Sequence, residues 1–245
     1  MSNVIIESGV DPVGVSPVRT EAVVDQSRAA QRISISPIEW RGPGEVLGFY
    51  GVAQASGATV SLAAAAHTAA LRWTDATHYL VLMRLRVGYS VTGAITTSTP
   101  MDLQGVIVRG FTVDFTTNAT VINMGTVSNT NKFRQNFGAS LLGTKGPEIA
   151  TTAAMSGQTL TADTAPFAMA SFQGLVAVTA TGTAVAAPVG AGAPMQDLYK
   201  WDVLGGHPIV LSANEGIVVQ PVTAGPASGS IKYYVQWEWA EVRGF

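Results

Sequence analysis

The chain has 245 residues, of which only 12% are charged, about half the share of an ordinary soluble domain. Its net charge of −2 offers no bulk field for nucleic acid or an anionic membrane. The absence of cysteine removes disulfides, thiolate zinc sites, iron–sulfur clusters and cysteine nucleophiles together, and a mean hydropathy of +0.27 favours a packed or assembled structural module over a conventional enzyme.

The first residues contain no basic side chain before Arg19 and no sustained apolar stretch, so no ordinary signal peptide is expected. Residues 1–44 are punctuated by Pro12, Pro17, Pro37 and Pro43 and by Gly9, Gly14, Gly42 and Gly44. Between these breaks, Val18 to Arg32 is expected to form one short helix, with Ser16 as its cap and Pro17 at its first position. Its apolar positions are mostly Ala and Val with charges on several sides, so it has little face to bury alone. Two readings of the segment stand side by side: an extended arm that packs on a neighbour or on the domain surface, and a partly disordered tail.

From Glu45 onward the dominant period is two, so residues 45–245 read as one β domain. His78 to Val87 places Tyr79, Val81, Met83, Leu85 and Val87 on one face and Leu80, Leu82, Arg84 and Arg86 on the other. Gly105 to Phe115 puts Ile107, Phe111, Val113 and Phe115 together, with Arg109 the odd member. Ser230 to Val242 is the clearest strand: Ile231, Tyr233, Val235, Trp237 and Trp239 alternate with Lys232, Gln236 and Glu238. Such alternation is the mark of half-buried antiparallel strands. Shorter strands are expected at Val46–Val52, Thr59–Leu62, Thr120–Met124, Leu175–Ala180, Ile209–Leu211 and Gly216–Gln220, separated by turn residues as between Gly225 and Gly229. Ala63–Ala70 is expected to give a turn or two of helix. The architecture that fits is all-β: an antiparallel two-sheet β-sandwich of jelly-roll type.

Thr164 to Gln196 is the longest span without charge, but Pro166, Pro188 and Pro194 and four glycines interrupt it, which is no pattern for a membrane helix. Within it, Ala180 to Pro194 is low in complexity. It reads either as a loop covered by another subunit or as a flexible surface loop of small side chains.

The sequence shows no catalytic pattern. His67, His78 and His207 stand apart, without metal-ligand spacing, and each is read as structural. There is no Gly-x-Ser-x-Gly elbow and no Gly-x-Gly-x-x-Gly, and Gly143-Thr144-Lys145-Gly146 fails as a phosphate loop because no Ser or Thr follows the lysine. Glu238 and Glu241 are the closest aromatic-flanked acids. An offset of three on a strand sends them to opposite faces, and they are expected to be solvated or ion-paired near the strand end. Asn118-Ala119-Thr120 matches a glycosylation sequon but is read as a turn.

Arg72-Trp73, Arg84-Leu85-Arg86 and Arg109 are the best basic-aromatic candidates for nucleic acid. Arginine at a subunit interface uses the same chemistry, so Arg84, Arg86 and Arg109 are read as interface residues. Trp73, Tyr233, Trp237 and Trp239 are read as core or interface aromatics. The competing reading makes Tyr233, Trp237 and Trp239 a sugar-stacking platform on an exposed sheet.

Several segments, taken in order, resemble structural proteins of tailed-bacteriophage virions. They are Gly48-Phe49-Tyr50, Leu71-Arg72-Trp73-Thr74-Asp75-Ala76-Thr77, Leu82-Met83-Arg84-Leu85-Arg86-Val87-Gly88 and Val108-Arg109-Gly110-Phe111-Thr112. Lys132-Phe133-Arg134, Ser140-Leu141-Leu142 and Ile149-Ala150-Thr151-Thr152-Ala153 follow. The series ends with His207-Pro208-Ile209-Val210-Leu211, Asn214-Glu215-Gly216 and Val235-Gln236-Trp237-Glu238-Trp239-Ala240-Glu241-Val242. The resemblance spans residues 45–242, leaves residues 1–44 unmatched, and rests on the ordered series, because no single motif in it is chemically specific.

The resemblance implies a β-rich, non-enzymatic component of the particle. It carries over no catalytic residues, no cofactor and no metal. The expected partners are the major capsid protein or other virion proteins and further copies of the chain, as a homotrimer by analogy with phage decoration proteins. Neither nucleic acid nor a membrane is expected as a partner. The expected location is the virion, assembled in the bacterial host cytoplasm, as a capsid decoration or cement protein; a tail- or fibre-associated module that binds a receptor or glycan is the alternative.

Overall fold

A computed structural model of the protein describes residues 4–10, 17–25, 28–31, 46–93, 95, 101–125, 132–133, 138–172, 192–202 and 207–243. The chain divides into two compact units, residues 1–39 and 40–245. The division expected after residue 44 lies outside the described residues.

In the first unit, β1 (Val4–Val10), β2 (Pro17–Asp25) and β3 (Arg28–Gln31) form a three-stranded antiparallel sheet in the order β1-β2-β3. The helix expected over Val18–Arg32 does not form; Ala22 to Asp25 pair instead with Gln31 to Arg28 as a hairpin. The physical reason lies in Val18, Thr20, Val23 and Val24. Their β-branched side chains lose rotamer freedom in a helix and fit a pleated strand.

The second unit is built from β4 (Val46–Ala55), β5 (Ala69–Trp73), β6 (Tyr79–Gly93), β7 (Met101–Val113), β8 (Ala119–Val121), β9 (Glu148–Ala150), β10 (Thr159–Ala162), β11 (Ala168–Phe172), β12 (Gly192–Lys200), β13 (Ile209–Leu211), β14 (Glu215–Pro221) and β15 (Ser230–Val242). There is no helix among the described residues. Seven strands run in the order β10-β7-β14-β5-β9-β8, with β11 also on β7; five run β12-β6-β15-β4, with β13 also on β6. Every pairing is antiparallel. The chain crosses between the sheets at β4–β5, β5–β6, β6–β7, β11–β12, β13–β14 and β14–β15. The two sheets pack face to face as a sandwich.

One apolar core joins them. From the five-stranded sheet come Tyr50, Val52, Leu80, Leu82, Leu85, Val87, Tyr233, Val235, Trp237 and Trp239; from the seven-stranded sheet come Leu71, Trp73, Leu103, Ile149, Phe172, Ile217 and Val219. Each large side chain removed from water in this way contributes about 1.5–3 kcal/mol. The alternation expected for β15 holds along its length, with Ile231, Tyr233, Val235, Trp237 and Trp239 all buried.

For β6 the faces differ from expectation. Leu80 and Leu82 point into the same core as Leu85 and Val87, whereas Val81 lies outside with Ala240 and Val242. The cause is a β-bulge: Trp239 is opposite Leu82 but Glu238 is opposite Arg84, leaving Met83 as an extra residue that reverses the alternation.

The β7 pattern is corrected likewise. Phe111 and Phe115 join Val106 and Val108 in a second cluster, and neither Ile107 nor Val113 belongs to it. Gly110, at φ +57°, takes a left-handed conformation that shifts the phase before Phe111.

Smaller expectations divide. The strands at Ile209–Leu211 and Gly216–Gln220 are present as β13 and β14, and Val46–Val52 lies within β4. Thr59–Leu62 supplies only a bridge from Thr59 to Ile231, and Thr120–Met124 contributes only its first two residues to β8. Ala63–Ala70 makes one tight turn at Ala64 and Ala65 before β5 starts at Ala69. The core beneath claims Ala69 and Leu71, which an extended strand can deliver and a short helix cannot. Leu175–Ala180 lies outside the described residues, as does Ala180–Pro194 up to residue 191, while Gly192–Pro194 opens β12.

Candidate functional site

The aromatic candidates are interior. Trp73, Trp237 and Trp239 are 0% exposed and Tyr233 is 1% exposed. Trp73 donates from Nε1 to the His78 carbonyl at 2.8 Å, and Trp239 from Nε1 to Glu241 Oε1 at 3.2 Å. Trp239 also stacks on Tyr50, with ring centroids 5.8 Å apart. A sugar cannot stack on rings that solvent does not reach. The platform reading of Tyr233, Trp237 and Trp239 is therefore removed.

The arginine candidates do not converge. Arg84 and Arg86 stand on the outer face of the five-stranded sheet, opposite Glu238 and Gln236 of β15. Arg84 grips Asp197 of β12 with two bonds, Nε to Oδ1 at 2.6 Å and Nη2 to Oδ2 at 3.1 Å. These charge-assisted bonds hold the Asp197 carboxyl below its ordinary range. Arg86 donates to the Met195 carbonyl at 3.1 Å and to Gln236 Oε1 at 3.4 Å, with its Nε 3.5 Å from Asp197. Arg109 belongs to the other sheet, where it meets Glu215 at 2.6 Å and Asp163 at 3.3 Å. All three guanidinium groups thus have carboxylate partners within the chain. Because the Arg84–Asp197 pair is solvent-exposed, Arg84→Ala should leave the urea unfolding midpoint essentially unmoved. A large drop would mean that the pair braces the β6–β12 edge.

Two buried carboxylates are the features that the sequence reading missed. Glu241, expected to be solvated or ion-paired, is fully buried. It does lie on the face opposite Glu238, and that face is the core side at the sandwich end. There it accepts hydrogen bonds from Ser140 Oγ at 2.5 Å, from the Leu141 amide at 2.9 Å and from Trp239 Nε1. Burial pushes its carboxyl up, and these three donors pull the other way. The result is a clasp fastening the 138–144 turn to the end of β15. The two-residue period of a strand sets the face of a side chain but not whether a distant loop caps it.

Glu148, on β9, is the second, only 7% exposed. Its Oε2 faces the Phe115 amide at 3.4 Å. Nearby, Asp114 binds Arg72 Nη1 at 2.5 Å and also pairs with Lys145. Burial alone would raise the Asp114 carboxyl, but its bonds to Lys145 and Arg72 outweigh that and hold it low. Arg72 lies over the Phe111 ring, 5.5 Å from its centroid.

His78 and His67 have structural contacts. His78 bonds Asp75 through its amide and its Nδ1, both at 2.8 Å; His67 Nδ1 lies 3.1 Å from Gln158 Nε2 and its ring meets Phe115 edge-on. Among the described residues no group of three His, Asp or Glu side chains could hold a metal ion. Asn118, at φ +56°, makes the turn read from its sequon and donates to the Ala154 carbonyl.

Comparisons with protein-family models, curated proteins and solved structures returned no match.

Proposed function

We propose that the chain is a non-enzymatic structural protein of a bacteriophage particle, acting as a decoration or cement subunit that stabilises the head through contacts between subunits. The observation that carries this reading is the coincidence of the ordered resemblance with the framework of the sandwich. Its segments at 82–88, 108–112, 214–216 and 235–242 fall on or beside β6, β7, β14 and β15, which are interior strands of the two sheets, and the segment at 207–211 runs into the edge strand β13. A resemblance distributed over the framework bears on a whole domain rather than on one loop. The repeated crossing of the chain between sheets favours the jelly-roll form of the sandwich.

The low charge supports the same reading. Subunit interfaces resemble a domain core cut in half, so a shell component needs less of the usual charged coat. Exposed Val60, Val113, Val121, Phe133 and Met169 are apolar surface available for such contacts. Partners in this reading are the major capsid protein and further copies of the chain, as a trimer, and contacts across capsomer boundaries stabilise the assembled state by mass action. The separate β-unit of residues 1–39 would supply the attachment.

Purified protein added to bare heads is the test. Stoichiometric co-sedimentation is expected, and a chain lacking residues 1–39 should keep its β-sheet circular dichroism yet bind at least tenfold more weakly. A protein that neither binds heads nor occurs stoichiometrically in virions overturns the decoration role. Equal binding by the shortened chain removes the N-terminal unit from it.

A further inference from the structure

The outer face of the seven-stranded sheet carries its own apolar cluster of Ala70, Val106, Val108, Phe111, Phe115, Ala150, Met155 and Val218. Two segments that follow β7 and β9 are laced together beside it. The Thr116 and Thr117 amides donate to the Ser156 carbonyl, the Ser156 amide donates back to Thr117, each at 3.1 Å, and the Thr151 amide donates to Asn118 at 2.9 Å. Phe115 is the pin of this cover, packed edge-on against Phe111 and His67. Glu148 lies against the backbone of that pin.

The charges around Glu148 come from several elements. β5 presents Arg72, the segment after β7 presents Asp114, the 141–147 turn presents Lys145, and the neighbouring β8 (Ala-Thr-Val) presents none. His67, just before β5, reaches Phe115 from another side; burial lowers its pKa, so it adds no charge near neutrality. Both cations in the group are already engaged by Asp114. Among the described residues Glu148 has one long backbone hydrogen bond, with the like charge of Asp114 and the two engaged cations nearby.

We propose that Glu148 is a pH-operated latch for this cover: protonated, it lies dry beneath Phe115 and the Asp114–Asn118 segment stays closed; ionised, it draws in water and loosens that segment. The chemistry of the site gives the same direction. Desolvation by burial, aided by the Asp114 charge, outweighs the Phe115 amide and the two cations and raises the Glu148 carboxyl to about 7. An acid whose folded pKa is raised stabilises the closed form fully below its ordinary pKa, and that contribution is lost as pH climbs to about 7. Asp114, held low, titrates below this window and leaves it undisturbed.

Hydrogen exchange on the full chain at pH 5.5 and 8, corrected for intrinsic exchange rates, tests the latch. Protection of the Phe115, Thr116 and Thr117 amides should fall about tenfold over that interval. In Glu148→Gln, which keeps an acceptor for the Phe115 amide but carries no charge, protection should be equal at both values. Equal protection in the unaltered chain, or the same fall in Glu148→Gln, overturns the proposal. Should that variant fail to fold, the carboxyl carbon of Glu148 followed by NMR in the unaltered chain decides: a midpoint near 7 is expected, and one below 5 overturns it.

Discussion

Trp239→Ala is expected to cost about 3–5 kcal/mol of folding stability, because it empties a fully buried site between the two sheets. At about 2–4 °C per kcal/mol for a domain of this size, the thermal midpoint should fall by roughly 10 °C. Phenylalanine separates the volume of the ring from its polar tip. Trp239 Nε1 donates to buried Glu241, whereas Trp237 Nε1 has no partner among the described residues. Trp239→Phe therefore strips a donor from a buried carboxylate and should cost about 1 kcal/mol more than Trp237→Phe. Urea unfolding of both variants gives the difference. An unchanged midpoint in Trp239→Ala would contradict the core assignment and reopen the sugar-platform reading.

Gly57→Ala and Gly146→Ala are expected to destabilise by about 1–3 kcal/mol each through overpacking. A methyl group on Gly57 would overlap the Thr151 carbonyl, and one on Gly146 would overlap the Ile122 carbonyl. Both obstacles are main chain held in place by hydrogen bonds, Gly57 to Ala150 at 3.2 Å and Ile122 to Pro147 at 3.0 Å. Neither can swing aside like a flexible side chain. Gly138→Ala is the control: its Cβ would meet nothing within 4 Å, and its midpoint should stay within about 0.5 kcal/mol of the starting protein. If all three variants unfold together at the original midpoint, the close approaches of Gly57, just after β4, to Thr151 and of Gly146 to Ile122 are wrong.

Glu148 and Glu241 show where reading along the chain stops. A carboxylate on a strand defaults to solvent, and although Trp239, two residues before Glu241, marks the face on which that acid stands, it does not show what closes over it. The partners that settle the matter, Phe115 for Glu148 and Ser140 with Leu141 for Glu241, lie 33 and about 100 residues away in the chain. The N-terminal unit failed for a different reason. Helix capping residues and β-branched residues coexist between Ser16 and Arg32, and strand pairing with β1 and β3 decided between them.

What the amino-acid sequence determined by itself was the fold class and the interior face of its most regular strand. Period-two alternation in Ser230–Val242 needs no partner to be read, because successive side chains on any strand point to opposite sides. Its aromatic face could bury itself only against another sheet. Tertiary structure alone decided the phase of β6 and β7, where one extra residue at Met83 and one left-handed glycine at Gly110 reassign every side chain beyond them. It alone decided which carboxylates are dry. Burial and ion pairing are properties of the loops and neighbouring strands that close over a residue, and those arrive from distant parts of the chain.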